Sequence, residues 1–280
     1  MVKEKAHAKV NLFLDIVGKR LDDFHDLEMV MVSLKLHDKL TFSKRTDSDI
    51  VLNSDKEITK NDKDNLVHRI IAHMIETFSL DSGVDVHIEK RIPIAAGLAG
   101  GSADAAATLR GMNRLFNLRL SKDQLADIGV GFGADIPFCV HNRMCIARGK
   151  GEKLFFLKRN LNLPVLLVTP DLEVSTKKVF QEVDMREVKN VKITTMGNAI
   201  YNKNCTLLFR ELHNALEPFS FKLFPEIEEL RNDLQSFEPQ GVLMSGSGPT
   251  VAVFDKNVGL LKEIAEKFRD THNVNLTKTL

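Results

Sequence analysis

The chain has 280 residues, with 39 Lys+Arg against 38 Asp+Glu, three cysteines and no tryptophan. That length can bury a large core and suggests two domains sharing a cleft, while a formal net charge of +1 excludes a global pull toward nucleic acid or an anionic membrane. The longest charge-free stretch, Pro239 to Phe254, is broken by Gly241, Gly246, Gly248 and Pro249 and cannot span a bilayer. The first ten residues, MVKEKAHAKV, carry charge where a signal peptide needs an apolar run. A cytoplasmic protein is therefore expected. Cys139, Cys145 and Cys205 lack metal-ligand spacing and read as small hydrophobes of a reducing compartment.

Residues 6 to 16 place Ala6, Ala8, Val10, Leu12, Leu14 and Ile16 on one face of a strand, with His7, Lys9, Asn11 and Asp15 on a polar face opposite. The run from Met29 and the run from Lys39 read as two further strands joined at His37-Asp38. Residues 65 to 78 predict an amphipathic helix whose stripe is Leu66, Val67, Ile70, Ile71, Met74, Ile75 and Phe78. Val84, Val86 and Ile88 alternate as a strand, and Ala106, Leu109, Met112, Leu115 and Phe116 recur at helical spacing beyond a glycine loop. Ser121 and Gln124 form a capping box for a helix through Ile128.

The pattern breaks between Lys158 and Pro164, which suggests a first domain over residues 1–160 and a second over 161–280. The second opens with a strand over Val165 to Val168, then a helix near Ser175 to Glu182. The polar stretch to about Asn204 carries no clear period. A helix started by Pro225 follows, then strand, glycine turn and strand in GVLMSGSGPTVAVF, then a helix over residues 258 to 269. This order predicts a small α+β sandwich.

The loop between the fourth of these strands and its helix, Gly97-Leu98-Ala99-Gly100-Gly101-Ser102, is the chain's strongest chemical signal. Backbone N–H groups at a helix N-terminus attract phosphate, so a nucleoside triphosphate is the expected ligand. The loop has neither the Gly-Lys-Ser/Thr of a Walker A motif nor the dinucleotide pattern G-x-G-x-x-G. Asp135 lies in the apolar segment GFGADIPFCV. A buried carboxylate needs a cationic partner, for which Lys9 is the candidate; equally, Asp135 suits the cap of a helix whose first turn holds Pro137. Ser245-Gly246-Ser247-Gly248 forms a second glycine turn.

The segments AKVNLFL at 8–14, PIAAGLAGGSADAA at 93–106, GADIPF at 133–138 and LMSGSGPT at 243–250 resemble the GHMP kinases. Within that superfamily the likeness is greatest to the branch acting on 4-diphosphocytidyl-2-C-methyl-D-erythritol. The resemblance implies an α+β fold of two domains, an N-terminal nucleotide domain like ribosomal protein S5 and a C-terminal ferredoxin-like sandwich, with the active site in the cleft between them. It implies ATP and Mg²⁺ as cofactors and a diphosphocytidyl sugar alcohol as substrate, without nucleic-acid or membrane partners, in a monomer or homodimer. Carried over by position, Gly97, Leu98, Ala99, Gly100, Gly101 and Ser102 would wrap the triphosphate, with Ser102 near the metal, and Asn65 and Lys90 would approach the adenine. Asp135 would act on the attacked hydroxyl with Lys9 paired to it and Asn11 in support. Phe24 and Phe180 would stack on the cytidine, His25 would hydrogen-bond its base, and Thr176 would lie near the substrate phosphates.

The chain departs from the family where Leu21-Asp22-Asp23-Phe24-His25 replaces the usual Pro-Asp-Gly-Tyr-His and where Ala103 replaces a serine. Those changes leave two other readings on the page: a GHMP-type kinase for another alcohol, such as homoserine or mevalonate, or a non-catalytic nucleotide-binding relative.

Overall fold

Two long strands, β1 (Val2–Lys19) and β2 (His25–Lys44), open the chain in the computed structural model, which describes residues 1–59, 61–189 and 191–280. β1 is longer than its alternation predicts, and its polar positions are not a solvated face: Lys9, Asn11 and Asp15 are buried. Each is held by a polar partner, the condition on which such groups leave water. The expected junction at His37-Asp38 is also corrected, since β2 runs through it unbroken. Asp38 has the look of a turn residue but is buried and ion-paired to Lys90, so its carboxylate needs no exposed turn.

The remaining elements in chain order are β3 (Ile50–Ser54), α1 (Leu66–Thr77), β4 (Val84–Glu89), α2 (Gly100–Leu115), α3 (Lys122–Val130), α4 (Ile136–His141), β5 (Cys145–Gly149), β6 (Lys153–Phe156) and β7 (Pro164–Thr169). After them come α5 (Thr176–Gln181), α6 (Ile193–Tyr201), α7 (Cys205–Arg210), β8 (His213–Asn214), α8 (Glu217–Leu223), α9 (Pro225–Gln235), β9 (Gly241–Met244), β10 (Val251–Phe254), α10 (Val258–Phe268) and β11 (Asn273–Lys278). The expected capping box is present, with Gln124 N donating to Ser121 Oγ at 3.2 Å and Ser121 N to Gln124 Oε1 at 2.9 Å. α6 fills part of the stretch whose polarity hid its period; its buried side is Ile193, Met196, Ala199 and Ile200.

The chain forms two units, each drawn from separated segments. The first comprises Met1–Ala8, Leu36–Ile94 and Ala99–Asn142. In it the C-terminal part of β2 pairs antiparallel with β4, which pairs parallel with β3. α2 packs against Phe42 of β2 at a glycine, because a methyl group on Gly111 would come within 2.5 Å of the ring. Arg110 ties α2 to the start of β1 through Glu4 Oε2 at 3.0 Å and the Lys5 carbonyl at 2.7 Å.

The second unit comprises Lys9–Lys35, Ala95–Leu98 and Arg143–Leu280. Its four-stranded antiparallel sheet has the order β11-β7-β10-β9. That is last, first, third, second in chain order, with helical crossovers after β7 and β10, which is the ferredoxin-like arrangement. Elsewhere in this unit the N-terminal part of β2 pairs with β5, β5 with β6, and β1 pairs parallel with the short β8. None of the three cysteines is in a disulfide; Cys139 and Cys145 are buried and Cys205 is half-buried. Burial pushes the Cys145 thiol up to about 12, so it behaves as packing.

Candidate active site

In the first unit, the expected phosphate loop ends on the N-terminus of α2. Ala99 occupies the N-cap in the left-handed region at φ 55° and supplies no side-chain cap. The first amides of this sixteen-residue helix, those of Gly100, Gly101 and Ser102, therefore have no intrahelical acceptor. Together with the positive end of the helix they form an anion site. Gly101 is exposed, and Ser102 is half-buried beside it.

Beneath this helix end lies a buried ion cluster. Lys90 Nζ donates to Asp38 Oδ2 and Asp104 Oδ2, both at 2.6 Å. Asp38 Oδ1 accepts the backbone N–H of Ile92 at 2.7 Å and also that of Arg91. Asp104 Oδ1 is buried with no hydrogen-bond partner. Burial pushes the Asp104 carboxyl up to about 7 against the pull of Lys90. For Lys90, burial acts to lower the pKa, but the two carboxylates outweigh it and the ammonium is held charged. Gly100 completes the arrangement, because a methyl group there would stand 3.2 Å from Lys90 Nζ and 3.1 Å from Ile92 Cγ2. Lys90 thus stands under the helix entrance, fully engaged with Asp38 and Asp104.

Asn65, the N-cap of α1, is buried, and its Oδ1 accepts from Val67 N at 3.0 Å. It lines a cavity of about 350 Å³ with Leu52, Ser54, Thr59 and Ile88. Asp135 is at the N-cap of α4, half-buried, but its side chain makes no cap hydrogen bond. The capping reading of Asp135 therefore has no bond to rest on. Among the described residues no group of three His, Cys, Asp or Glu is arranged to hold a metal ion.

In the second unit, Lys9 and Asn11 project from the same face of β1 two residues apart, and Lys9 Nζ donates to Asn11 Oδ1 at 2.9 Å. The first glycine of the loop meets the second glycine turn here. Gly97, at φ +71°, presents its carbonyl to Ser245 Oγ at 3.0 Å, and a methyl group on it would collide with the Ser245 carbonyl at 2.1 Å. A methyl group on Gly246 would stand 3.2 Å from the Gly97 carbonyl oxygen and 3.7 Å from Lys9 Nζ. The ammonium, the loop and the turn are thus packed at one point. Thr176 Oγ1 and Ser247 Oγ share a hydrogen bond of 2.8 Å.

The expected base-binding residues divide into two groups. His25 stacks on Phe180 with ring centroids 5.5 Å apart and an interplanar angle of 26°. Its Nε2 is buried without a hydrogen-bond partner, and burial followed by the charge of Lys19 lowers its pKa. A neutral imidazole nitrogen with no protein partner suits a ligand's donor or acceptor. Phe24 is exposed, with Lys150 Nζ 3.9 Å from its ring centroid and Asp22 Oδ2 2.9 Å from the same ammonium. Asp23, which stands where the family has glycine, holds φ 62°. The turn keeps a conformation in which glycine is at ease and aspartate is tolerated.

Sequence reasoning missed Asp38, Asp104 and Lys150. Asp104 offered a signal, a lone acid inside the run ADAAAT; the other two offered none.

Comparison with known proteins bears on both units. Residues 65–143 match the family model described as GHMP kinases N terminal domain, and residues 195–274 match GHMP kinases C terminal. Over 251 residues the chain is 44% identical to a protein of Staphylococcus haemolyticus (strain JCSC1435) named "Putative 4-diphosphocytidyl-2-C-methyl-D-erythritol kinase", covering 90% of this chain and 89% of that one. A protein of the same name from Staphylococcus aureus (strain MRSA252) is 42% identical over the same share. The crystal structure of a 4-(cytidine 5'-diphospho)-2C-methyl-D-erythritol kinase superposes with a TM-score of 0.86 at 29% identity, covering 99% of each chain. A homoserine kinase from Cytophaga hutchinsonii shares the fold, with a TM-score of 0.73 at 15% identity and 99% and 94% of the two chains covered.

Proposed function

Because this chain belongs to the GHMP kinases, we propose that it transfers the γ-phosphoryl group of ATP to the 2-hydroxyl of 4-diphosphocytidyl-2-C-methyl-D-erythritol. The names of its relatives and its 29% identity to a solved kinase of that substrate support the reading. The observation that carries the acceptor is His25. A buried imidazole stacked on Phe180 with an unpartnered Nε2 provides what a pyrimidine requires, an aromatic surface and one hydrogen-bonding atom at its edge. Stacking of this kind is worth about 1–3 kcal/mol per base in single-strand binding sites. Neither homoserine nor mevalonate has a ring to use it.

Phosphoryl transfer is mainly alignment and charge neutralisation. The uncapped amides of Gly100, Gly101 and Ser102 fit a polyphosphate, and the 350 Å³ cavity beside Asn65 is of a size for a base. Mg²⁺ would neutralise phosphate charge when bound. The protein's donors suit an ion carried on the nucleotide, to which the Ser102 hydroxyl would offer an oxygen. Asp135 accepts the proton of the attacked hydroxyl, Lys9 supplies positive charge to that step, and Asn11 orients Lys9. Thr176, at the N-terminus of α5, serves the substrate phosphates, and Phe24 offers a second aromatic face. The enzyme acts as a monomer or homodimer in the cytoplasm; no helix among the described residues is long and apolar enough to cross a membrane.

Purified protein given Mg-ATP with 4-diphosphocytidyl-2-C-methyl-D-erythritol, homoserine or mevalonate is expected to release ADP with the cytidyl compound alone. Turnover with homoserine or mevalonate and none with the cytidyl compound would refute the assignment.

A further inference from the structure

The Ser245–Gly248 turn is not held by its own backbone alone. Asn214, the last residue of β8, is buried, and its side-chain amide uses both donor hydrogens and its oxygen in one place. Nδ2 donates to the Met244 carbonyl at 2.9 Å and to the Gly246 carbonyl at 2.7 Å, while Oδ1 accepts from Leu216 N at 3.0 Å. Two acceptors on one side and a donor on the other admit a single orientation of the amide. Ser220, also buried, donates its hydroxyl to the Ser247 carbonyl at 3.1 Å. Two consecutive glycine-turn carbonyls, those of Gly246 and Ser247, are therefore pinned from behind by side chains of β8 and α8.

What the turn supports makes this bracing consequential. Its Ser245 hydroxyl holds the Gly97 carbonyl, its Ser245 carbonyl blocks any side chain at Gly97, and its Gly246 lies beside the Lys9 ammonium. Displacing the turn displaces the first residue of the phosphate loop and the lysine together. The hydrogen bonds of Asn214 and Ser220 go to the turn and to Leu216 rather than to that loop, so their route to nucleotide use runs through the turn.

We propose that Asn214 and Ser220 are positioning residues that set the phosphate loop and Lys9 through the Ser245–Gly248 turn, so that ATP affinity and transfer depend on two side chains outside the site. The inference rests on the kinase reading above. It also predicts a binding effect that can be measured without any acceptor.

The test is calorimetric titration of Mg-ATP into the wild type, Asn214→Asp, Asn214→Ala and Ser220→Ala, with melting midpoints recorded for each. Asn214→Asp keeps the shape and the bond from Leu216 N but cannot donate to two carbonyls. Asn204→Ala serves as a matched control, since it removes a cap bond to Leu207 N of 3.0 Å on α7 and costs stability without touching the turn. ATP affinity is expected to fall about tenfold in Asn214→Asp and severalfold in Ser220→Ala, with kcat falling in parallel, as misplacement by a fraction of an ångström does. Asn204→Ala is expected to keep wild-type affinity despite a lowered midpoint. Wild-type ATP affinity in folded Asn214→Asp or Asn214→Ala overturns the inference; should neither fold, wild-type affinity in Ser220→Ala overturns it. Equal losses in Asn204→Ala would assign the effect to general destabilisation and also overturn it. A wild type that binds ATP but does not phosphorylate the cytidyl compound would instead count against the acceptor.

Discussion

Lys9 is an ammonium on a strand buried on both faces, held at 2.9 Å by the Asn11 amide oxygen. An amide oxygen acceptor orients the ammonium along the strand. In the proposed reaction Lys9 and Asp135 act in the transfer step itself, Asp135 from a helix start where its side chain makes no cap hydrogen bond. Asp135→Asn is expected to keep ATP affinity while slowing transfer at least about a hundredfold, within the range for loss of a general base. Lys9→Ala is expected to slow it similarly. If the two serve one step, the double variant loses little more than either single one, since groups acting as a unit are not additive. Steady-state kinetics of the three variants decides the matter; multiplied losses would show separate roles. Both residues were conspicuous in the sequence, a lysine inside strict apolar alternation and an aspartate in a glycine-bounded apolar segment, but their expected roles came from the family resemblance. Asn214 was not, since an asparagine followed by alanine and leucine has no pattern to violate and its importance exists only after β8 pairs with β1.

At the scale of elements, glycines record where backbones meet. Gly97 combines φ +71° with a methyl clash of 2.1 Å on the Ser245 carbonyl, so a side chain there is opposed both by conformation and by space. Gly97→Ala is expected to lower stability by about 2–4 kcal/mol and to abolish tight ATP binding, whereas Gly101→Ala, with open space around it, is expected to change stability by less than about 1 kcal/mol. Denaturant unfolding of the two proteins provides the comparison; equal stability would show that loop and turn do not need their close approach. Strands and helices with clean periods, such as β4, α1, α3, α9 and α10, were readable because each buries one face. β2 was misread as two strands because Asp38 was taken for a turn residue. α6 and α8 were passed over because short helices with mixed polarity have no long-range period to display, and β11 because its burial pattern is half-exposed throughout.

For the whole molecule, the buried cluster of Lys90, Asp38 and Asp104 couples stability to pH. Asp104 has its carboxyl pushed up to about 7 by burial, above the ordinary carboxylate value of about 3.9. The native state therefore holds this proton more tightly than the unfolded chain does, and the contribution of Asp104 falls as pH rises from about 4 to about 7. Asp104→Asn removes that titration. The melting midpoint of the variant minus that of the wild type is expected to climb across this interval and level off above it, and a flat difference would show that Asp104 is ionised throughout. The α+β class and the ferredoxin-like second sheet were foreseen from the resemblance, and the model matches of both GHMP regions agree. A linear reading has more difficulty with the units, because β1 and β2 each contribute residues to both.

That interleaving constrains how such a gene can be recombined. A single crossover exchanges one contiguous stretch, yet the first unit alternates with the second through Met1–Ala8, Leu36–Ile94 and Ala99–Asn142. Swapping it intact between related genes would take five exchanges, two of them inside strands and two flanking the four residues that end in Gly97 and Leu98. A chimaera spliced at any single point therefore leaves at least one unit assembled from segments of two parents.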